Sequence, residues 1–390
     1  MGFLDKDGLL YYHSKIEDQI EYATDLSKRT LTWGEIADDI ANDRTYKYGI
    51  GDRLVEPWTD TAANQIYNNP WRINHFETCE IDGGEKKGMW LENMYTSPFG
   101  VQFSHSRAIL RCPDGLAAGT YYFTFESKNG NYISAGDVVC FTSTVAVPKG
   151  GCVAGLENSL TSDKANWHIR IYAADRKTEL ETIAPTFTAD GTQIGVIKTS
   201  TRNGDINSVN EINNGWNYWL ASALRQYLNS EAGVGDWWTP YDGWDLAPNE
   251  LDIKAGFLSG IPSDMKAVML PVKNVTKNVL NGGYTETTYD KVGIMSLEQM
   301  YIKPQTAGDG EPHEWYKAVN GTDTKFEKGS LYKYRELIRK SIDDTKQTYI
   351  SRSAYQGSVC SMWSINADGY AIYYNAFLSL KFIPIVFIGK

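Results

Sequence analysis

Residues 349–375 read YISRSAYQGSVCSMWSINADGYAIYYN. Asp368-Gly369 is a tight-turn signal, and the runs on either side are rich in Ile, Tyr and Trp, so the segment is expected to be a β-hairpin. Its side chains alternate between apolar and small polar groups, which leaves Tyr, Ser, Asn and Arg for an outward face. Trp363 and Ile365 share one parity and are the core candidates, while Cys360, Met362, Ser364 and Asn366 fall on the opposite face. Rigid rings beside adaptable hydrogen-bonding groups are the vocabulary of a recognition surface. The candidate ligand-binding residues are therefore Arg352, Tyr355, Gln356, Ser361, Ser364, Asn366, Tyr370, Tyr373 and Tyr374, with Trp237, Trp238 and Trp244 as an adjoining aromatic wall. The competing reading is that the same rings pack internally.

Outward from this hairpin the pattern alternates between strand and helix. The closing run Phe382 to Ile388 is too short to span a bilayer and predicts a buried central strand. Upstream, a helix is expected near Leu331 to Ser341, a strand at Val272 to Thr276 and a helix at Ser263 to Met269. Another helix is expected at Trp219 to Leu228, where Trp219, Leu220, Ala223, Leu224, Tyr227 and Leu228 form one apolar face. Between Arg107 and that helix no helical period occurs. Thr120 to Phe125, Asp137 to Val147, His168 to Ala173 and Gly195 to Thr199 read instead as strands separated by Gly, Asn or Pro, which predicts an all-β, sandwich-like insert. Earlier still, Gly49-Ile50-Gly51-Asp52 reads as a turn and Trp71 to His75 as a strand. Thr32 with Glu35 forms a capping box for a helix to about Ala41. Leu9, Tyr12, Ile16, Ile20 and Ala23 mark one apolar stripe on a helix over 5–27. A stripe outside a compact domain has to be covered, which predicts self-association, as a trimer.

Composition narrows the function. The chain has 390 residues, of which 42% are hydrophobic and 22% charged, so it is a globular protein of more than one unit. Its 48 acidic against 38 basic residues give a net charge of −10, which repels a phosphate backbone and argues against nucleic acid as a partner. No signal-peptide core and no apolar stretch of about 18 residues is found, so no membrane insertion is expected. The five cysteines show no zinc-type spacing and read as reduced, mostly buried thiols. The 25 Tyr and 12 Trp outnumber the 13 Phe, an excess of rings with polar tips. No nucleophile elbow, P-loop, dinucleotide fingerprint or His-Glu-x-x-His motif occurs, and His75 reads as a core histidine. No cofactor is expected. Calcium is the one ion that the loop carboxylates Asp236, Asp242, Asp245 and Asp252 could hold, although their spacing matches no EF-hand. A glycan-cleaving pair, Asp236 with Asp242, is one enzymatic reading, and a purely structural protein whose aromatic face mediates assembly is another.

The order of Y-G-I-G-D (48–52), W-R-I-N-H (71–75), W-L-A-S-A-L-R-Q-Y-L-N-S (219–230), Gly256 to Leu258 before Ala267-Val268, Lys291 to Ser296 before Glu298, and Tyr349 to Ser353 before Asp368-Gly369 resembles a domain family of undefined activity common in gut phages and their hosts. That family is similar to the C-type lectin-like, retroelement-diversified variable receptor-binding proteins, of which the major tropism determinant is one. The opening Gly2 to Leu9, followed by Ser14-Lys15-Ile16, resembles the N-termini of phage tail and fibre proteins. The resemblance implies an α+β chain with a helical anchor at 1–45, a C-type lectin-like domain from 46–107 plus 205–390, and the inserted β-rich domain at 108–204. It implies a non-enzymatic adhesin, made in the host cytoplasm and carried on the virion. Its partners would be a host cell-surface protein or glycan and, through the N-terminus, other virion proteins.

Overall fold

A computed structural model describes residues 31–105, 110–112, 117–124, 138–143, 146, 151–153, 167–172, 179–183, 215–241, 245, 247–278, 284–302, 308–320, 337–358 and 360–390. The protein is mostly β-sheet with few helices. Among the described residues no helix is long and apolar enough to cross a membrane. The expected helix over 5–27 and the strand at 195–199 lie outside the described residues.

The chain enters through helix α1 (Trp33–Ala41), whose start is the expected capping box: Thr32 Oγ1 accepts from the Glu35 N–H, and the Glu35 carboxylate accepts from the Thr32 N–H. Strands β1 (Arg53–Asp60), β2 (Gln65–Ile81) and β3 (Gly84–Asn93) follow as a meander, with a bulge in β2 between Ile73 and His75. The short β4 (Val101–Gln102) leads to β5 (Leu110–Cys112), β6 (Gly119–Thr124), β7 (Val138–Ser143), β8 (Gly151–Val153), β9 (Trp167–Tyr172) and β10 (Glu179–Ile183). These pair with one another, in the order β10-β9-β7-β6 and as a β5-β8 ladder. Helices α2 (Ala223–Leu228) and α3 (Ser263–Val268) precede β11 (Val272–Asn278), β12 (Tyr284–Asp290) and β13 (Val292–Ile294). Ser222 caps α2 by accepting from the Arg225 N–H. Helix α4 (Glu314–Asn320), the small ladder β14 (Arg339–Lys340) with β15 (Lys346–Gln347), and the meander β16 (Tyr349–Ala354), β17 (Ser361–Ile365) and β18 (Ala371–Asn375) come next, before β19 (Ser379–Leu380) and β20 (Pro384–Gly389).

The largest sheet runs β12-β11-β2-β3-β20-β13, with β1 on β2, so early and late segments of the chain share one ladder. The interior strand β20, between β3 and the edge strand β13, explains the unbroken apolar run. Val386 and Ile388 pack into one core cluster with Ile73, Leu91, Trp219 and Phe257, while Ile385 and Phe387 pack into a second with Trp90, Val272 and Tyr349. A strand covered on both faces needs no polar alternation.

Two expectations are corrected. The helix near Leu331 to Ser341 fails over its described part, where Arg339–Lys340 is a strand closed by the Ser341 N–H on the Thr345 carbonyl. Leu220, assigned to an apolar helix face, is exposed and precedes α2.

Candidate functional site

The Asp368-Gly369 turn is present. The Asn366 side-chain oxygen accepts from Asp368 N–H (3.1 Å) and Tyr370 N–H (2.8 Å), and this aligns β17 with β18 so that Trp363 faces Tyr373. What precedes it is a third strand, β16, so 349–375 is a three-stranded meander with β17 in the middle. Strands β16 and β17 are buried on both faces, and only β18 at the edge is open. The single outward face expected from alternation is therefore displaced one strand along.

Tyr355, Trp363 and Tyr373 come together on that edge. The Tyr355 and Tyr373 rings stack at 4.0 Å between centroids and 6° between planes, and Trp363 meets both edge-on, at 5.1 and 6.3 Å. Tyr373 is 49% exposed and Ile372 beside it is exposed. Tyr355, Gln356, Asn366, Tyr370 and Tyr374 are half-buried. Trp363, expected in the core with Ile365, packs half-buried against the second core cluster and also floors this ring cluster. Counting outward from a two-residue Asp368-Gly369 turn would place Trp363 opposite Tyr374; the observed pairing with Tyr373 is one residue away from that, so the sequence motif alone did not carry it.

The other expected site residues go elsewhere. Arg352 is buried: Nη1 donates to the Val275 carbonyl and Thr276 Oγ1, Nη2 to Gln299 Oε1 and the Asp309 carbonyl, and Nε to the Ile294 carbonyl. That occupies all five N–H groups of a guanidinium. Ser361 is buried with its hydroxyl on Asn375, and Ser364 is fully buried. Trp237 is a core residue, its indole N–H donating to the Lys254 carbonyl at 2.7 Å and its ring edge-on to Tyr227. Trp238 packs half-buried against the same core, and Trp244 lies outside the described residues. The aromatic wall is thus corrected for Trp237. Of the loop carboxylates, Asp236 and Asp252 are exposed, Asp245 is buried and accepts from the Tyr241 N–H, and Asp242 lies outside the described residues. Among the described residues no group of three or more His, Cys, Asp or Glu side chains is placed to hold a metal ion. Cys79 and Cys360 are buried thiols, as expected.

A polar network inside the fold escaped the sequence reading. Glu92 on β3 is fully buried between Arg339 (2.6 Å) and Arg72 (3.2 Å), and also accepts from Tyr316 and Asn74. Burial alone would raise its pKa, but the two guanidinium groups hold the carboxyl down at about 2. Asn74 Oδ1 lies 3.1 Å from His313 Nδ1, and His313 Nε2 lies 3.3 Å from the Gln299 amide nitrogen. Gln299 Oε1 already accepts from the Ser296 N–H and Arg352, so its NH₂ donates to His313 and the ring carries its proton on Nδ1. Burial and the neighbouring His75 keep that imidazole neutral, its pKa well below the usual value. Arg72 and Asn74 of the W-R-I-N-H run are hence internal fasteners.

Above this network opens a cleft of about 320 Å³, bounded by β2, β3, β11 and residues within 298–299 and 308–313. Trp90 and Cys79 wall it, Arg352 and His313 form part of its floor, and Glu298 and Glu311 stand on its rim. Trp90 donates its indole N–H to Glu77 at 2.9 Å, and Lys273 pairs with Glu80 at 2.8 Å.

The model of a family described as a domain of unknown function (DUF6273) matches residues 195–388, which take in α2 through most of β20 and leave out β1 to β3. No curated protein and no protein of solved structure matches the chain.

Proposed function

We propose that this chain is a non-enzymatic receptor-binding protein, an adhesin of a phage tail or virion, whose domain of C-type lectin-like fold meets a host cell-surface protein or glycan through the edge at β18. One observation carries the reading: a half-exposed Tyr373 stacked on Tyr355, both braced edge-on by Trp363. Rings already held in place lose little freedom when a ligand covers them, so their area is converted into affinity efficiently. Tyr370 at the turn and Tyr374 on the other face of β18 are half-buried and add hydroxyl groups for polar contacts. In this reading residues 1–45 supply the anchor and the contacts to other virion proteins, and the particle carries the chain as a trimer.

The test is attachment. Fluorescently labelled full-length protein should bind host bacteria saturably and release no soluble glycan product. The triple variant Y370A/Y373A/Y374A should lose that binding by tenfold or more, about the 1.4 kcal/mol expected when exposed aromatic anchors are removed. Its melting temperature should change little. Undiminished attachment by the folded variant, or cleavage of cell-wall glycan by the wild type, would overturn the reading.

A further inference from the structure

We propose that the 320 Å³ cleft beside Trp90 is a second binding site, separate from the β18 edge, for a small ligand that carries an alkyl ammonium or guanidinium group. Its size falls at the lower end of small-molecule pockets. The lining holds five carboxylates, from Glu77, Glu80, Glu298, Asp309 and Glu311, against two cations, Lys273 and Arg352.

Hydrogen bonding sharpens that imbalance, because the donors are spent and acceptors remain. All five N–H groups of Arg352 go to protein oxygens, both His313 nitrogens are engaged, and Lys273 faces Glu80. Among the described lining residues an anionic ligand would meet no positive group that is not already engaged. On the acceptor side, Glu298 uses only Oε2, which takes the N–H groups of Gly308 (2.7 Å) and Asp309 (2.8 Å). Its Oε1 receives no hydrogen bond among the described residues, and exposed Glu311 has neither hydrogen bond nor ion pair there. Glu298, a lining residue of the cleft, is thereby fixed in position by the backbone it holds, with its second carboxylate oxygen left over for a ligand. A charge-assisted N⁺–H···O⁻ contact from the ligand would complete it. The Trp90 and Cys79 wall suits the alkyl stem behind the cationic head.

Agmatine is a suitable probe, and isothermal titration of the full chain is the measurement. Saturable binding that weakens with added salt is expected, with glutarate giving none. Because Glu311 is exposed, E311Q and E311K should keep the wild-type melting temperature. E311Q should weaken agmatine by about tenfold, the lower end for a hydrogen bond to a charged group, and E311K by more. Absence of saturable agmatine binding, equal affinity for glutarate, or unchanged affinity in both variants would overturn the proposal. None of these outcomes touches the tyrosine edge, whose variants serve as the control that the two sites are independent.

Discussion

At the scale of single residues, the informative side chains are polar groups that the fold has taken inside. Glu286 on β12 is 7% exposed, and its Oε2 accepts the Leu220 N–H at 2.8 Å while Oε1 has no partner among the described residues. Burial is the main cause that lifts its pKa to about 7, with Asp309 adding to it and Arg352 opposing. The folded state therefore favours the protonated acid. Its contribution to stability is complete below the ordinary carboxylate range and is lost as pH rises through about 7. A shift of this size corresponds to at most about 3 kcal/mol. E286Q keeps an oxygen for Leu220 and cannot ionise, so it should match the wild type in urea denaturation at pH 5 and exceed it by about 2 kcal/mol at pH 8. A wild type whose stability relative to E286Q stayed constant over that range would show that Glu286 is not buried in this way. Arg352 teaches the related lesson for the site. In the sequence it is an arginine among serines on a strand, indistinguishable from a surface contact. Only the convergence of Val275, Thr276, Gln299 and Asp309 on it shows that it is a fastener.

Individual elements were legible where one local cause dominates. The Thr32–Glu35 capping box, the Ser263–Val268 helix, the run into β20 and the Asp368-Gly369 turn all follow from patterns within a few residues. They were not legible where a distant partner decides. Arg339 sits in a helix-forming stretch, but it has to reach buried Glu92, and the strand β14 delivers it. Alternation misassigned β17 because that strand is covered on both faces, with Met362 in one core and Ile365 in the other. The turn at 49–52 combines both situations. Gly51 has φ +97°, which the sequence motif anticipates, and a side chain there would stand 2.8 Å from the Trp315 ring, which it does not. That ring in turn covers the Arg72 guanidinium at 4.2 Å. Gly83 has a similar φ of +95° with open space around it. G83A should therefore cost only the conformational penalty of about 1–2 kcal/mol. G51A should cost measurably more, by about another 1–3 kcal/mol for the forced displacement of a packed ring. Equal losses in the two variants would mean that Trp315 yields freely.

Over the whole molecule, the largest sheet is assembled from strands at 53–93 and 272–389. The strands between 110 and 183 pair among themselves. The junction between these parts is tight. Ser104 Oγ accepts from the Trp216 N–H and donates to the Trp216 carbonyl, both at 2.8 Å, and a Cβ on Gly215 would fall within 2.4–2.8 Å of Ser104 and His105. The chain that departs after His105 thus re-enters beside its point of departure, and Gly215 with φ +74° is what allows the two backbones to approach so closely. An excursion whose ends already meet adds loop-closure cost but no structural link that the remaining sheet needs. Joining Arg107 directly to Asp205 should accordingly leave a protein with one cooperative urea transition and the near-ultraviolet signature of the buried Trp71, Trp90 and Trp219. Attachment through the tyrosine edge and binding of agmatine should both persist at wild-type strength. Loss of cooperative unfolding in this shortened chain would show that residues 108–204 contribute to the core of the main sheet. If the core survived but attachment were lost, the receptor surface would have to extend onto the excised strands.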